Sequence, residues 1–442
     1  MKYTHEIRDP IHVFIRLDSD ERKVLDSRPF QRLRHIHQLA MTYLIYPGAT
    51  HKRFEHSLGV MELAGRVFDV VTDPDNVTDE IKHLLEPLNA PDNRAYWRRV
   101  IRIAALCHDI GHLPFSHAAE KELLPYDWDH EKLTREIIVS DEMKTIWDSV
   151  TPPLRPEDIE KLAIGPKKAT DIKFTDWETV LTEIIVGDAF GVDRMDYLLR
   201  DSHHVGVAYG KFDHHRLIDS LRILPPAQSG EKGESQEPAL GVEEGGIQSA
   251  EALMLARYFM YSQVYFHPVR RIYNIHLTDF LKEWLDSGAF ATDLESHLKM
   301  TDSEVTAALW EAAFEEKVGS THACRIVRRE HFKCLYRRNP EDVTINPESG
   351  ELVFKALADQ YGEEHFRHDR YRQKSGAPDF PVRMRDGRIV SSITFSEVLR
   401  NIPVVSIDYV FANRQFFAKA NTWLNDNRLT IIDKQEEEKQ DG

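Results

Sequence analysis

The sequence predicts a mainly α fold with a smaller α+β lobe at its C-terminal end, and three observations support this class. Apolar residues recur at helical spacing through most of the span 22–224 and again over 249–338. Strand-like alternation is confined to the N-terminus and to the region after residue 339. The 442 residues can bury a large core in two lobes. We therefore expect a core of residues 1–338, a lobe of 339–435 and an acidic tail of 436–442.

The first elements along the chain are a strand and a long series of helices. Apolar residues alternate from Ile11 to Leu17, which predicts a short N-terminal strand. Helical spacing then continues to a segment, 225–246, that is rich in Pro, Gly, Ser and Glu. That composition is typical of a long exposed hairpin or a mobile loop.

The C-terminal lobe shows strand signals. Alternation within 343–345 and 352–354 predicts a hairpin, and a second hairpin is expected to turn at Asp386–Gly387. A last strand is expected over 404–411, followed by a helix from Asn413. Together these elements predict the small α+β lobe.

Charge and cysteine content limit the function classes. The net charge of −16 repels a nucleic-acid backbone, and the basic run 325–338 is more typical of a solvated helix face than of a nucleic-acid site. Three scattered cysteines (Cys107, Cys324, Cys334) do not form a disulfide framework. No apolar run approaches the roughly 20 residues that cross a bilayer. We expect a soluble, cytoplasmic protein that binds neither membrane nor nucleic acid.

The most informative segment is 106–120, LCHDIGHLPFSHAAE. His108 and Asp109 are adjacent at the end of an apolar run that predicts a buried helix. An ionised Asp there costs several kcal/mol unless it is paired with positive charge. Imidazole and carboxylate are common ligands of divalent transition metals, so the pair indicates a metal site.

Two adjacent ligands cannot hold a metal alone, and distant segments offer further ones. His56 lies at the start of a predicted helix whose apolar positions recur at helical spacing. The segment 187–201, GDAFGVDRMDYLLRD, offers Asp193 and Asp196. A separated His, an adjacent His-Asp pair and a later Asp give the pattern H…HD…D.

With these residues the chain resembles the HD-domain metal-dependent phosphohydrolases. More narrowly, it resembles the deoxynucleoside triphosphate (dNTP) triphosphohydrolases, including the catalytic core of the SAM- and HD-domain enzymes. The resemblance covers most of the chain. It follows the ordered blocks DPIH (9–12), SRPFQRLRHIHQL (27–39), YPGATHKRFEHSLGV (46–60), the HD segment and VDRMDYLLRDSHHVG (192–206), and more weakly 257–267 and 361–425.

The resemblance implies one divalent metal ion per subunit, held by His56, His108, Asp109 and Asp193. Iron, manganese, zinc, nickel and magnesium all remain open. The resemblance also places three histidines in the triphosphate pocket: His112, His117 and His130. We expect His117, oriented by Glu120, to protonate the leaving 5′-oxygen.

Substrate contacts are likewise implied position by position. Four residues are expected on phosphate: Arg53, Arg194, Tyr197 and Arg257. Gln38 and Asp201 match residues that contact the 3′-hydroxyl. Leu39 and Tyr265 match residues that leave no room for a 2′-hydroxyl, which selects deoxyribose.

Relatives of this kind assemble as oligomers and are switched on by nucleotides between subunits, so we expect a homo-oligomer, a dimer or a tetramer. Asp26, Gln31 and Arg34 match residues that recognise an activating guanine nucleotide in one such relative. Other positions of that site differ here: His5, Arg8, Phe14 and Pro268. The identity of an activating nucleotide therefore stays open.

The sequence favours a hydrolase that cuts dNTPs into deoxynucleoside and triphosphate. A first alternative is an HD phosphohydrolase of another phosphoester, such as a nucleoside monophosphate or a cyclic dinucleotide. A second is a nucleotide sensor or nucleic-acid-binding module with a vestigial site. The arginines favour a polyphosphate, and the intact set of metal ligands argues against a vestigial site.

Overall fold

The computed structural model describes residues 4–116, 120–226, 237–373 and 376–433. The chain divides into two compact units that alternate along the sequence. The first unit comprises Met1–Met260, Phe290–Val305 and Gly376–Pro403, and the second comprises Tyr261–Ala289, Thr306–Ser375 and Val404–Gly442. The fold class is confirmed as mainly α with a smaller α+β part. The domain boundary at 338/339 stays a prediction.

The helices are α1 (Ser19–Leu25), α2 (Arg28–Arg32), α3 (Arg53–Val71), α4 (Pro91–Cys107), α5 (Glu120–Leu123), α6 (His130–Ile138), α7 (Asp141–Ser149), α8 (Pro156–Ile164), α9 (Asp176–Val186), α10 (Val192–Val205), α11 (His214–Ser220), α12 (Ile247–Met260), α13 (Pro268–Trp284), α14 (Leu294–Lys299), α15 (Asp302–Glu315), α16 (Ser320–Val327), α17 (Pro340–Ile345), α18 (Ser349–Tyr361), α19 (Ser392–Phe395), α20 (Glu397–Arg400) and α21 (Arg414–Ile432). The strands are β1 (His5–Asp9), β2 (Val13–Leu17), β3 (Leu221–Leu224), β4 (Ala239–Glu243), β5 (Lys333–Arg337), β6 (Phe366–Arg372), β7 (Pro381–Arg383), β8 (Ile389–Ser391) and β9 (Ser406–Ala412).

The core of the first unit is helical. Helices α3, α4, α9 and α10 pack together, and the apolar run Val100–Cys107 at the end of α4 is buried as the sequence predicts. Helix α10 begins after Gly191 and ends at Gly206, whose φ of 80° is the left-handed C-cap conformation that glycine favours. This packing brings the start of α3, the end of α4 and the start of α10 together.

The N-terminal prediction of one strand is corrected to a hairpin. Strands β1 and β2 pair antiparallel with His5 opposite Leu17, and Ile15 and Leu17 are buried. A second sheet of the first unit has the order β3-β4-β7-β8. The segment 225–246, predicted as an exposed hairpin or a mobile loop, follows β3 and contains β4, which pairs with β3 and is buried at Leu240, Gly241 and Val242; its part 227–236 lies outside the described residues.

In the second unit, the antiparallel sheet β5-β9-β6 packs against α18 and α21. Its buried core includes Val353, Leu357, Val410 and Leu424. Strand β9 and helix α21, with Asn413 as N-cap, confirm the last two predicted elements. The helical span 249–338 is corrected at its end, because Lys333–Arg337 is strand β5.

The hairpin predicted over 343–354 is wrong. The segment forms helices α17 and α18 instead. Asn339 accepts a hydrogen bond from the N–H of Glu341 and precedes Pro340 at the first helical position, which are strong helix-start signals. In contrast, the hairpin predicted at Asp386–Gly387 is confirmed by the β7–β8 pair.

No helix among the described residues combines the length and the apolar character that crossing a bilayer requires.

Candidate metal centre

The structure brings together the four residues that the sequence predicts as metal ligands. His56 Nε2 lies 3.1 Å from Asp193 Oδ1 and 3.6 Å from Asp109 Oδ2. His108 Nε2 lies 3.4 Å from Asp109 Oδ1 and 3.5 Å from Asp193 Oδ1. Two imidazoles and two carboxylates, from α3, from the turn that follows α4 and from α10, thus point at one small volume.

The donor set fits a divalent cation, and His108 gives the clearest indication. Its Nδ1 donates to the carbonyl of Ala105 at 2.8 Å, so that Nε2 carries the lone pair. This Nε2 is buried and has no hydrogen-bond partner. A buried polar atom without a partner costs roughly 1–3 kcal/mol, which a metal bond would offset. His56, His108 and Asp193 also have ligand atoms within 4.8 Å of one another.

His56 is oriented from behind by Asp196. Its Nδ1 donates to Asp196 Oδ2 at 2.8 Å, and Arg200 donates to the same carboxylate. Burial opposes protonation of His56, but Asp193 and Asp196 outweigh it and raise the pKa of His56 to about 10. Without a cation, a proton therefore holds the two carboxylates together, and a divalent cation would take its place on Nε2.

Arg53 lies at the edge of the same cluster. Its Nη1 donates to Asp109 Oδ2, and its Nε donates to Ser116 Oγ at 2.9 Å. Burial acts to raise the pKa of Asp109, but the charges of Arg53 and His108 prevail and hold it well below the usual range. The guanidinium is thus next to the predicted metal ligands.

Two further histidines stack beside the ligands. The rings of His112 and His130 lie 4.0 Å apart, and His112 Nε2 is 3.2 Å from Asp109 Oδ1. Burial and the charges of Arg53 and His130 hold the pKa of His112 well below its usual range. For His130, burial is outweighed by Glu120 and Glu131, which raise the pKa. The surroundings therefore favour the neutral form of His112 and the protonated form of His130.

Glu120 orients a different histidine from the one we expected. Its Oε1 accepts from Nδ1 of His130 at 2.6 Å and from the N–H of the same residue at 2.9 Å. His117, the expected partner of Glu120 and proton donor, lies outside the described residues. Gly111 permits this arrangement, since a Cβ there would lie 2.5 Å from the carbonyl oxygen of His130.

Two of the expected sugar-binding residues, Gln38 and Asp201, are hydrogen-bonded to the same residue of the first unit, His51. Asp201 accepts a hydrogen bond from His51 Nε2 at 2.7 Å, and the N–H of Gln38 donates to the carbonyl of His51 at 3.0 Å. The Oε1 of Gln38 is buried without a partner, and Leu39 is buried. His204 stacks on His51 with ring centroids 4.4 Å apart.

The remaining residues that are expected to contact phosphate or sugar lie at the following places in the structure. Nη1 of Arg194 donates to the carbonyls of Gly187 and Asp188 at the end of α9. Tyr197 lies one helical turn after Asp193, and Arg257 is half-buried in the last turn of α12. Tyr265 is buried in the second unit. The phosphate role of Arg194, Tyr197 and Arg257 and the sugar contact of Tyr265 stay predictions.

The residues expected to bind an activating nucleotide are close in sequence: Asp26 directly follows α1, Gln31 lies in α2, and Arg34 follows α2. Gln31 donates to the carbonyl of Leu25 and accepts from Arg34, and Arg34 lies over the ring of Phe54. Asp26 pairs with Arg22. Their regulatory role stays a prediction.

Sequence reasoning assigned no role to several residues near the centre: Asp9, His12, Glu131 and Arg200. The sequence offers Asp196 beside Asp193 as a candidate carboxylate, but it does not indicate that Asp196 is the hydrogen-bond partner of His56. The i,i+4 spacing of Asp196 and Arg200 is a helix ion-pair signal. His12 is hydrogen-bonded to Asp196 although 184 positions separate them, and no local pattern reports such a contact.

The fold and the centre define a helical hydrolase with a His/Asp cluster that can hold a divalent metal. Residues 53–200 match the HD domain, and residues 212–358 match the HD associated region. The chain belongs to the HD phosphohydrolase family.

Similar proteins support this membership. The chain is 34% identical over 395 residues to the uncharacterized protein YwfO of Bacillus subtilis, covering 85% of this chain and 80% of that protein. It is 30% identical over 391 residues to the human deoxynucleoside triphosphate triphosphohydrolase SAMHD1, covering 80% of this chain but 58% of SAMHD1. The crystal structure of a hypothetical protein from Aquifex aeolicus matches with a TM-score of 0.75 at 31% identity, over 95% of this chain and 99% of that one.

Proposed function

We propose that the protein is a metal-dependent dNTP triphosphohydrolase that releases deoxynucleoside and inorganic triphosphate. The observation that carries the proposal is the convergence of His56, His108, Asp109 and Asp193, with the partnerless Nε2 of His108 directed at the two carboxylates, where it would bind a shared ion. The dNTP substrate is supported by about 30% identity to SAMHD1 over most of the chain.

The four residues would hold one divalent cation, which supplies positive charge and Lewis acidity next to the phosphate that is attacked. Arg53 neutralises phosphate oxygens with its guanidinium fork, exchanging part of its contact with Asp109 for the substrate. The His112–His130 pair, held by Glu120, keeps a proton within reach of the leaving 5′-oxygen. His117, which the family resemblance places in the same pocket, remains the proton donor that we expect.

The sugar pocket in this proposal is formed by Gln38, Leu39 and Asp201. Gln38 and Asp201, tied together through His51, bind the 3′-hydroxyl. Leu39 is buried and offers no polar partner to a 2′-hydroxyl, so that a ribonucleotide leaves a polar group unpaired at a cost of roughly 1–3 kcal/mol.

The test is to incubate the metal-loaded protein with each dNTP, with and without GTP or a second dNTP, and to separate the products by chromatography. Deoxynucleoside and inorganic triphosphate in equal amounts are expected. Release of monophosphate or pyrophosphate, or no turnover under any nucleotide combination, would contradict the proposal. Asp109→Asn is the control, because it removes a predicted ligand while conserving the shape of the side chain.

A further inference from the structure

The turn of the N-terminal hairpin carries a buried histidine that the proposed chemistry does not use. The side chain of His12 is fully buried, and its Nε2 donates to Oδ1 of Asp196 at 2.6 Å. The neighbouring hairpin residue Asp9 accepts from Nη1 of Arg200 at 2.8 Å. Asp9 and His12 of the hairpin thus both contact side chains of α10.

These contacts lead directly to a predicted metal ligand. Asp196 accepts from His12 at Oδ1 and from His56 Nδ1 at Oδ2. Arg200 donates to both oxygens, at 2.8 and 3.0 Å. The carboxylate of Asp196 is therefore held on both sides, and its orientation depends on the position of His12.

The orientation of Asp196 decides which tautomer His56 adopts. Because Oδ2 accepts the hydrogen on Nδ1, the lone pair of neutral His56 is on Nε2, which lies 3.1 Å from Asp193 and 3.6 Å from Asp109. A metal ligand of this kind relies on the partner of its other ring nitrogen. Rotation of the Asp196 carboxylate would remove that partner.

The backbone of the turn is strained at Val13. Its φ is 66°, which is an outlier for a β-branched residue, and the N–H of Phe14 donates to the carbonyl of His12 at 2.8 Å in a tight three-residue turn. The Val13 side chain is 55% exposed, so its own packing does not require this conformation. Strain of this kind persists where surrounding contacts over-determine the backbone. Here Asp9 Oδ1 accepts from the N–H groups of Ile11 and His12, and His12 is anchored to Asp196.

We propose that His12 is a positioning residue of the metal centre, which acts through Asp196 on His56, and that the strained turn at Val13 sets its position. This inference rests on the metal centre of the proposed function. It makes the N-terminal hairpin part of the centre although no hairpin residue is among the predicted ligands.

The first experiment measures Mn²⁺ affinity by the EPR signal of the free ion, with circular dichroism as a check of folding. His12→Phe removes the donor and is expected to weaken Mn²⁺ binding by about 10–100-fold. His12→Gln, whose Nε2 can replace the imidazole donor, is expected to restore most of the affinity. His368→Phe is the matched control, because it removes a 2.7 Å His–Asp hydrogen bond, to Asp408 in the second unit. It is expected to leave Mn²⁺ affinity unchanged.

The second experiment moves His12 through the backbone alone. Val13→Pro cannot adopt a φ of 66°, so the turn must rearrange and His12 must move. Val13→Gly adopts that φ without strain and keeps His12 in place. Weaker Mn²⁺ binding is expected for the proline variant and wild-type binding for the glycine variant. If His12→Phe does not fold, the two Val13 variants still test whether the position of His12 affects Mn²⁺ binding.

The outcomes separate the two proposals. Wild-type protein that binds Mn²⁺, together with folded His12→Phe and Val13→Pro variants that bind it equally well, would overturn the role of His12 and leave the metal centre intact. An equal loss in His368→Phe would also overturn it, because the effect would then be a general loss of stability. Wild-type protein that binds no divalent ion would refute the metal centre itself.

Discussion

Gly59→Ala is the substitution for which packing and helix propensity predict opposite results. Gly59 lies within α3 and faces α10. A Cβ at this position would lie 1.9 Å from Asp196 Oδ1 and 2.5 Å from Arg200 Nη2. The first distance is about 1.5 Å shorter than the 3.4 Å at which ordinary contact begins. Asp196 and Arg200 are both fully buried and form part of the network that orients His56.

The magnitudes of the opposing contributions decide whether Gly59→Ala stabilises or destabilises the protein. Replacing glycine by alanine inside a helix stabilises by about 1 kcal/mol. Overpacking costs about 1–3 kcal/mol, and loss of one hydrogen bond to a charged group costs about 1.5–3 kcal/mol. The expected net destabilisation is therefore about 1.5–5 kcal/mol. Because the displaced carboxylate is the partner of His56, Mn²⁺ affinity is also expected to fall.

Urea unfolding followed by circular dichroism measures the stability change, and Mn²⁺ EPR measures the affinity. Gly65→Ala is the control on the same helix, since its Cβ would come no closer than 2.9 Å, to the end of the Arg102 side chain. A smaller effect is expected there. If Gly59→Ala were as stable as the wild type, or more stable, the close approach of α3 and α10 at Gly59 would not cause the predicted destabilisation, and the reasoning would be refuted.

Three further predictions concern the centre and its pocket. Asp109→Asn is expected to abolish both metal content and turnover, as measured by elemental analysis and product chromatography, and retention of either contradicts its place among the ligands. Glu120→Gln is expected to lower kcat by about 10²-fold with Mn²⁺ affinity unchanged, since it alters the proton held by His130 and no predicted ligand; a change confined to metal affinity would argue against this role. Leu39→Ala is expected to lower the ratio of kcat/KM for dNTP over NTP, which steady-state assays with both substrates measure, and an unchanged ratio would remove Leu39 from sugar selection.

The metal cluster was predictable because each ligand leaves a local signal. His108 and Asp109 interrupt an apolar helix, and an unpaired charge is rarely tolerated in such a place. His56 lies at the start of α3, whose apolar positions recur at helical spacing, and Asp193 lies with Asp196 near the start of α10. The resemblance to HD phosphohydrolases then grouped the four, and in the structure each of the two imidazoles has an Nε2 atom 3.1–3.6 Å from an oxygen of each of the two carboxylates.

The partners of the ligands were not predictable in the same way. Any buried carboxylate accepts hydrogen bonds, and the chain contains 22 histidines, so residue type alone does not pair His12 with Asp196. The pairing depends on how the hairpin packs on α10, which is a long-range property. The strained φ of Val13 is equally invisible, because a β-branched residue in a short alternating run predicts an ordinary strand.

The wrong hairpin over 343–354 shows how local signals compete. Val343 and Ile345 have strand propensity and alternate, which predicts a strand. The helix-start signals at Asn339 and Pro340 are the stronger ones, and the segment is helical. Further along, Val353 and Leu357 are the buried pair, four residues apart, which is the helical period. An alternation that spans only three residues is weak evidence for a strand when a helix N-cap and buried residues four positions apart both indicate a helix.

The charges around the centre give an independent reason for a divalent cation. Four carboxylates and two guanidinium groups are joined by direct contacts: Asp9, Asp109, Asp193 and Asp196 with Arg53 and Arg200. The ionised groups leave two negative charges uncompensated in a region that is largely withdrawn from water, where unpaired charge costs several kcal/mol. The raised pKa of His56 has the same origin, because a proton there offsets part of the surplus. A bound dication would remove the whole surplus, and Asp193, which is partly exposed, is the side of the centre that the proposed substrate could reach.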